Sequence, residues 1–195
     1  MSMPILFLDI DGVLNDHKSD PLAESTTILP RCVEQLNRIL DTTKCRVVLV
    51  SAWRYMHHGG AMTLAAMEYL FRTHWIHVKD GVLIDVTRRD WEPYEMRATE
   101  RGRQVREWLS RHDHGGVGAF VALDDMDLGY THYNIPFVDT DGKVGLTEVE
   151  ADKVIEILMR PAYLAEFEAW KSGQNGSASA RGEESGLNSL EAKLE

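Results

Sequence analysis

The sequence predicts an α/β fold, a central parallel sheet covered by helices on both faces. Three observations carry this. Short, largely apolar runs recur at Pro4–Leu8, Arg46–Val50 and Gly118–Leu123, as strands buried on both faces read. The segments between them repeat their apolar residues at helical spacing. Each run stops abruptly in polar residues: Asp9, Ser51 and Asp124.

Taken in order, the first strand ends in Asp9-Ile10-Asp11-Gly12, and a polar loop follows to about Thr27. Pro30 suits a first helical turn, and Val33, Leu36, Ile39 and Leu40 carry that helix to about residue 40. The second strand ends in Ser51, and Gly59-Gly60 breaks the chain behind it. A helix is expected from Ala61 to about Phe71. The stretch from Trp75 to Ala98 reads as irregular, with a short strand at Val82-Leu83-Ile84. Gly102 to about His112 reads as a helix with Val105, Trp108 and Leu109 on one side. The third strand ends in Asp124-Asp125. Phe137-Val138 suits an edge strand, and Gly142 and Gly145 mark turns. A helix from Thr147 to Met159 opens on a capping box, Thr147 with Glu150 three residues on. A short helix is expected after Pro161. From about Ser172 the chain becomes rich in Gly, Ser, Ala and Glu, the composition of a loose tail. One domain over residues 1–171 and a disordered tail over 172–195 are therefore expected.

The 195 residues suit one domain with a sizeable core. A formal net charge of −10 opposes broad adhesion to nucleic acid, which needs an excess of Lys and Arg. It favours a small substrate, or one end of a larger one. The two cysteines, Cys32 and Cys45, make no disulfide framework and read as buried thiols. No run is long enough to cross a membrane, and Asp9 and Asp11 arrive too soon for a signal peptide. A cytoplasmic location is expected, with no membrane partner. Oligomeric state is not legible.

Right-handed winding of such a sheet would gather Asp9, Asp11, Ser51, Asp124 and Asp125 at one rim, beyond the carboxyl ends of the strands. Four carboxylates there repel one another and lose hydration, and a hard divalent cation relieves both. Magnesium suits oxygen ligands. Asp9 and Asp124 are the first-choice side-chain ligands, with Asp125 direct or through water and Asp11 through its carbonyl. Asp9 beside a metal can attack phosphorus, and Asp11 can serve as acid and then base. Gly12 permits the sharp departure of the chain that brings Asp11 back to the phosphate. Ser51 offers a hydroxyl and an N–H to the phosphate. Arg101, Arg103 and Arg106 cluster at the start of the helix before the third strand, and Arg101 at its entry is the best-placed phosphate-binding cation.

These residues resemble a known family. Asp9-Ile10-Asp11-Gly12-Val13-Leu14, Val48-Leu49-Val50-Ser51, Arg101 and Leu123-Asp124-Asp125 are similar to the four ordered motifs of the haloacid dehalogenase-like (HAD) phosphatase superfamily. More narrowly, Ser51-Ala52-Trp53-Arg54, Arg101-Gly102, Leu123-Asp124-Asp125 and Gly145-Leu146-Thr147 resemble the small HAD domains of RNA-repair, Swiss Army Knife type proteins. The similarity spans roughly Pro4 to Leu158. It implies a Rossmann-like three-layer fold with little or no cap, magnesium, Asp9 as nucleophile and Asp11 as acid/base. The family's third motif is usually lysine, so Arg101 and Arg103 both stand as candidates, and the acid that often follows the fourth motif has no clear counterpart beside Asp127 and Leu128. Trp53, Arg54 and Arg103 would form a substrate rim, joined by Arg88, Arg89 and Arg97.

The implied activity is a phosphomonoesterase acting on a nucleotide or the phosphorylated end of a nucleic acid. A sugar-phosphate or other metabolite phosphatase, and a non-catalytic module that binds a phosphate ligand, are the alternatives. His57-His58 and His112 with His114 lack the spaced partners of a zinc site and read as surface residues.

Overall fold

A computed structural model describes residues 3–16, 27–53, 63–79, 81–87, 100–112 and 117–160. Contacts divide the chain into two units, 1–160 and 161–195, and every described residue belongs to the first. The expected helix after Pro161 and the tail from Ser172 therefore lie outside the described residues.

Among the described residues, nine elements follow in order: β1 (Met3–Leu8), α1 (Pro30–Thr43), β2 (Arg46–Leu49), α2 (Leu64–Thr73), β3 (Leu83–Val86), α3 (Glu100–Arg111), β4 (Val117–Asp124), β5 (Phe137–Asp139) and α4 (Glu148–Met159). The strands form one sheet in the order β3-β2-β1-β4-β5, every pairing parallel. The order reverses between β1 and β4, so the topological switch point lies at their carboxyl ends. Between β2 and α3 the described residues build only α2 and β3, which belong to the main body rather than to a cap.

The apolar runs become strands because both faces are covered. Ile5, Leu6, Phe7 and Leu8 are buried, as are Phe120 through Leu123. Phe7 meets Trp108 of α3 edge-on at 5.4 Å and Phe120 at 6.3 Å. α1 buries Val33, Leu36, Ile39 and Leu40 as its spacing predicts, and packs against α4. The capping box of α4 is formed: Thr147 Oγ1 accepts from the Val149 N–H, and Glu150 accepts from the Thr147 N–H.

Several boundaries shift from the expectation. The helix expected from Ala61 to about Phe71 runs Leu64–Thr73, capped by Thr63, whose Oγ1 accepts from the Ala66 N–H. α1 continues to Thr43, where Lys44 closes it in the left-handed region with its N–H on the Leu40 carbonyl. β3 is set at Leu83–Val86 by pairing with β2, not at Val82–Ile84. α3 begins at Glu100 rather than Gly102. The Gly102 N–H donates to the Leu128 carbonyl at 3.0 Å, and a Cβ there would collide with the Gly129 carbonyl. That glycine is therefore a contact point inside the first turn and not a helix start. No helix of the described residues is long and apolar enough to cross a membrane.

Candidate active site

β1 and β4 pair in parallel with Leu8 opposite Leu123, so the next residue of each strand ends at the same rim. The Asp9 N–H donates to the Leu123 carbonyl at 2.9 Å and fixes that alignment. Asp9 and Asp124 are both buried, at 1% and 0% exposure. One carboxylate oxygen each from Asp9, Asp124 and Asp125 lies within 4.8 Å of the others.

Arg101 enters this cluster from the first turn of α3. Its Nη1 lies 2.5 Å from Asp9 Oδ2 and 2.5 Å from Asp124 Oδ2, bridging the two carboxylates. The Tyr130 hydroxyl donates to Asp124 Oδ2 at 2.7 Å, and the Met126 N–H to Asp124 Oδ1 at 3.2 Å. The Ile10 N–H donates to Asp9 Oδ1 at 2.8 Å. Burial, then the neighbouring charge of Asp9, pushes the Asp124 carboxyl up to about 7, against the pull of Arg101 and Tyr130. Burial opposes the Arg101 charge, but Asp9 and Asp124 outweigh it and hold the guanidinium protonated well above its ordinary range. Burial, with the charge of Asp124, also raises the Tyr130 phenol, which stays a donor.

This donor set fits a hard divalent cation. It is all oxygen and carries more negative charge than one guanidinium balances, and a bound dication would oppose the uptake of a proton by Asp124. The turn leaves room for nothing else: Gly12 sits at φ +75°, and a Cβ there would fall on the Asp125 carboxylate. Glycine is thus required both by conformation and by space.

Residues 5–151 match the family described as the HAD domain in Swiss Army Knife RNA repair proteins, about three quarters of the sequence. The chain belongs to this HAD family. Among solved structures, this HAD domain is similar to a D,D-heptose 1.7-bisphosphate phosphatase from B. bronchiseptica complexed with magnesium and phosphate. The two are 17% identical, the match covers 80% of this chain and 99% of that one, and the TM-score is 0.44. No curated protein matches the chain in sequence.

Of the residues singled out in the sequence, Asp9, Asp124, Asp125 and Arg101 come together. Arg103 does not join them: its Nη1 pairs with Glu107 Oε1 at 2.7 Å along α3, so the geometry separates the two candidate arginines. Arg106 donates to the Tyr133 and Asn134 carbonyls. The Asp11 side chain is half-buried and lies outside the three-carboxylate cluster; its Oδ1 accepts from Asn15 Nδ2 at 2.9 Å. Gly12, a candidate phosphate-binding residue, gives its N–H to Asn15 Oδ1 at 2.7 Å. Ser51 is fully buried at the end of β2, and its Oγ accepts from the Trp53 N–H at 3.3 Å. Trp53 is half-buried. Arg54, Arg88, Arg89, Arg97, His57, His58 and His114 lie outside the described residues. Asp127 is exposed and closes a local turn, its Oδ1 accepting from the Thr131 N–H. Cys32 and Cys45 are buried free thiols, and burial pushes Cys45 up to about 11. His112 stacks on Trp108 at 4.0 Å.

Sequence reasoning missed Asn15, which clamps both Asp11 and Gly12, and Tyr130, which is fully buried against Asp124. It also missed Thr140, whose Oγ1 donates to the Gly12 carbonyl at 2.9 Å. Tyr130 carries no local signal, because its stacking on Phe137 at 5.1 Å depends on tertiary packing. Asn15 could have been found: an Asn four residues after Asp11 in a turn is placed for such a hydrogen bond.

Proposed function

We propose that this HAD domain is a magnesium-dependent phosphomonoesterase that works through a phosphoryl group carried on Asp9. The supporting observation is the shared bridge: two buried carboxylates from adjacent strand ends are held by one guanidinium. Asp9, Asp124 and Asp125 would hold the ion, with the Asp11 carbonyl as a further oxygen. When bound, magnesium would neutralise the carboxylates and the incoming phosphate and let the two anions approach.

The chain's own residues supply the remaining chemistry. Arg101 and the Ile10 N–H keep the Asp9 carboxylate in one orientation, which fixes the direction of attack on phosphorus. The bond from Asp9 oxygen to phosphorus forms as the bond to the ester oxygen breaks. Asp11, set by Asn15, gives its proton to the leaving oxygen. The same carboxylate then takes a proton from water, the water oxygen attacks phosphorus, and Asp9 is released with inorganic phosphate. Arg101 and Ser51 would give donors to the phosphoryl oxygens as they develop charge.

The substrate we favour is a nucleotide or the phosphorylated end of a nucleic acid. The family description and the aromatic Trp53 at the rim support it. The overall acidity of the chain opposes a long bound polymer. Hydrolysis of p-nitrophenyl phosphate with magnesium tests the activity, and loss of that hydrolysis in a folded Asp9→Asn variant tests the nucleophile. No turnover of any monoester by the folded, magnesium-loaded protein would contradict the proposal. A screen of nucleoside monophosphates, 3′- and 5′-phosphorylated oligonucleotides and sugar phosphates tests the substrate class.

A further inference from the structure

Outside the acidic cluster, a pocket of about 600 Å³ stands along α1, lined by Asn37, Arg38, Asp41, Trp75 and His77, among others. Its charges are of both signs and pair with each other or with α4: His77 with Asp41, and Arg38 with Asp152. They select no ligand. A more specific arrangement lies in the turn that follows β1.

Asn15 is buried there, at 5% exposure. Its Oδ1 accepts from the Gly12 N–H at 2.7 Å, and its Nδ2 donates to Asp11 Oδ1 at 2.9 Å. The first bond fixes the sense of the second. A backbone N–H only donates, so the amide oxygen faces Gly12 and the amide NH2 faces Asp11. Turned over, the side chain would set donor against donor and oxygen against oxygen. The segment between β5 and α4 braces the same turn. Thr140 Oγ1 donates to the Gly12 carbonyl at 2.9 Å, and the Leu146 N–H donates to the Val13 carbonyl at 2.8 Å. Gly145 packs so closely that a Cβ on it would lie 3.0 Å from the Val13 carbonyl oxygen and 3.1 Å from that of Asn15.

A donor locked on Asp11 Oδ1 decides where a proton on that carboxyl resides. In a protonated carboxyl the bare oxygen is the better acceptor, so the Asn15 NH2 holds the proton on Oδ2. We infer that Asn15 is a positioning residue for phosphoryl transfer, confining the exchangeable proton of Asp11 to Oδ2. This rests on the phosphomonoesterase reading and assigns its proton steps to one atom. In the first step the bond from Asp9 oxygen to phosphorus forms, the ester bond breaks, and the Oδ2 proton passes to the leaving oxygen. In the second, a water proton passes to Oδ2 as the water oxygen attacks phosphorus and the bond to Asp9 breaks. The first proton matters in proportion to the basicity of the leaving group. An alkoxide needs it, whereas p-nitrophenolate leaves without it.

Steady-state kinetics of the magnesium-loaded full chain with p-nitrophenyl phosphate and 2-phenylethyl phosphate test this. The ratio kcat/KM reports the steps up to loss of the leaving group, and so isolates the first proton transfer. Asn15→Asp is nearly isosteric and keeps an acceptor for the Gly12 N–H, but it sets a carboxyl oxygen against Asp11 Oδ1. A proton shared by the two carboxyls then lies on the Oδ1 side, away from Oδ2. Its kcat/KM for 2-phenylethyl phosphate should fall about tenfold or more further than for p-nitrophenyl phosphate. Asn15→Ala should discriminate in the same direction, and retained hydrolysis of p-nitrophenyl phosphate shows that both variants fold. Thr140→Val removes a different bond from the same turn and should lower both esters alike. Asp11→Asn should discriminate between the esters as the Asn15 variants do. No hydrolysis of either ester by the parent, or equal losses in Asp11→Asn, would sink Asp11 as the acid and the role of Asn15 with it. Discrimination by Asp11→Asn with equal losses in both Asn15 variants would overturn the role of Asn15 alone. Discrimination by Thr140→Val as large as by Asn15→Asp would also overturn it, since the turn and not the amide would then be responsible.

Discussion

The acidic rim beyond β1 and β4 and the Trp75 pocket along α1 break the burial rule in opposite senses. At the rim, charged groups are inside: Asp124 is wholly buried and accepts from Arg101, Tyr130 and the Met126 N–H. In the pocket, a large apolar ring is outside, at the left-handed residue that closes α2, its N–H on the Arg72 carbonyl and its carbonyl on Asn37 Nδ2. Buried polar groups and exposed large apolar ones are the informative exceptions in any fold. Each kind has its own signature. A buried charge demands partners, so its surroundings can be read as a network. An exposed ring demands none.

That contrast sets the order of effects. Removing the cation at the rim should be the most damaging change. Arg101→Ala leaves Asp9 and Asp124 facing each other in a buried site, and should cost about 3 kcal/mol or more in metal-free stability. Turnover should fall about a hundredfold, as read by initial rates, with urea unfolding reporting the stability. Arg103→Ala is the matched control, because its partner Glu107 is a half-exposed helix neighbour, and it should move stability by less than about 0.5 kcal/mol. Similar losses in the two variants would erase the distinction between them.

Magnesium should act next. Saturation to about a hundred times its dissociation constant should stabilise the fold by roughly 2.7 kcal/mol, seen as a rise in melting temperature, and chelation should abolish turnover. Tyr130→Phe removes one hydrogen bond from Asp124 without removing the ring that stacks on Phe137. It should weaken magnesium about tenfold while the fold persists.

A further effect is on the pH dependence of the metal-free protein. Asp124 is pushed from 3.8 to about 7 on folding. Between those values the folded state keeps a proton that the unfolded state has lost, so unfolding free energy should fall as pH rises through this window. Magnesium competes with that proton and should flatten the slope. Melting curves at several pH values, with and without the ion, check both parts.

Most of the sheet could be read from the chain because buried parallel strands are continuous apolar runs and their ends are abrupt. Pro4–Leu8 closing in Asp9, and Gly118–Leu123 closing in Asp124, located two carboxylates that the β1–β4 register then brought together. The choice between Arg101 and Arg103 could not be read, because it depends on which side of α3 meets the rim. That is decided by the close approach of Gly102 to Leu128 and Gly129, over twenty residues away. Tyr130 and Thr140 were invisible for the same reason. Trp75 lay in a stretch that reads as irregular, and its positive φ belongs to the closure of α2, where the Trp75 N–H meets the Arg72 carbonyl and the Ile76 N–H the Phe71 carbonyl.

The central claim is that Asp9 carries the phosphoryl group. Rapid acid quenching of the magnesium-loaded protein during turnover of a radiolabelled phosphomonoester, followed by peptide mapping, measures this directly. An acid-stable, hydroxylamine-sensitive label is expected on Asp9 and should be absent from Asp9→Asn. Normal turnover by Asp9→Asn, or label on another residue, would contradict it.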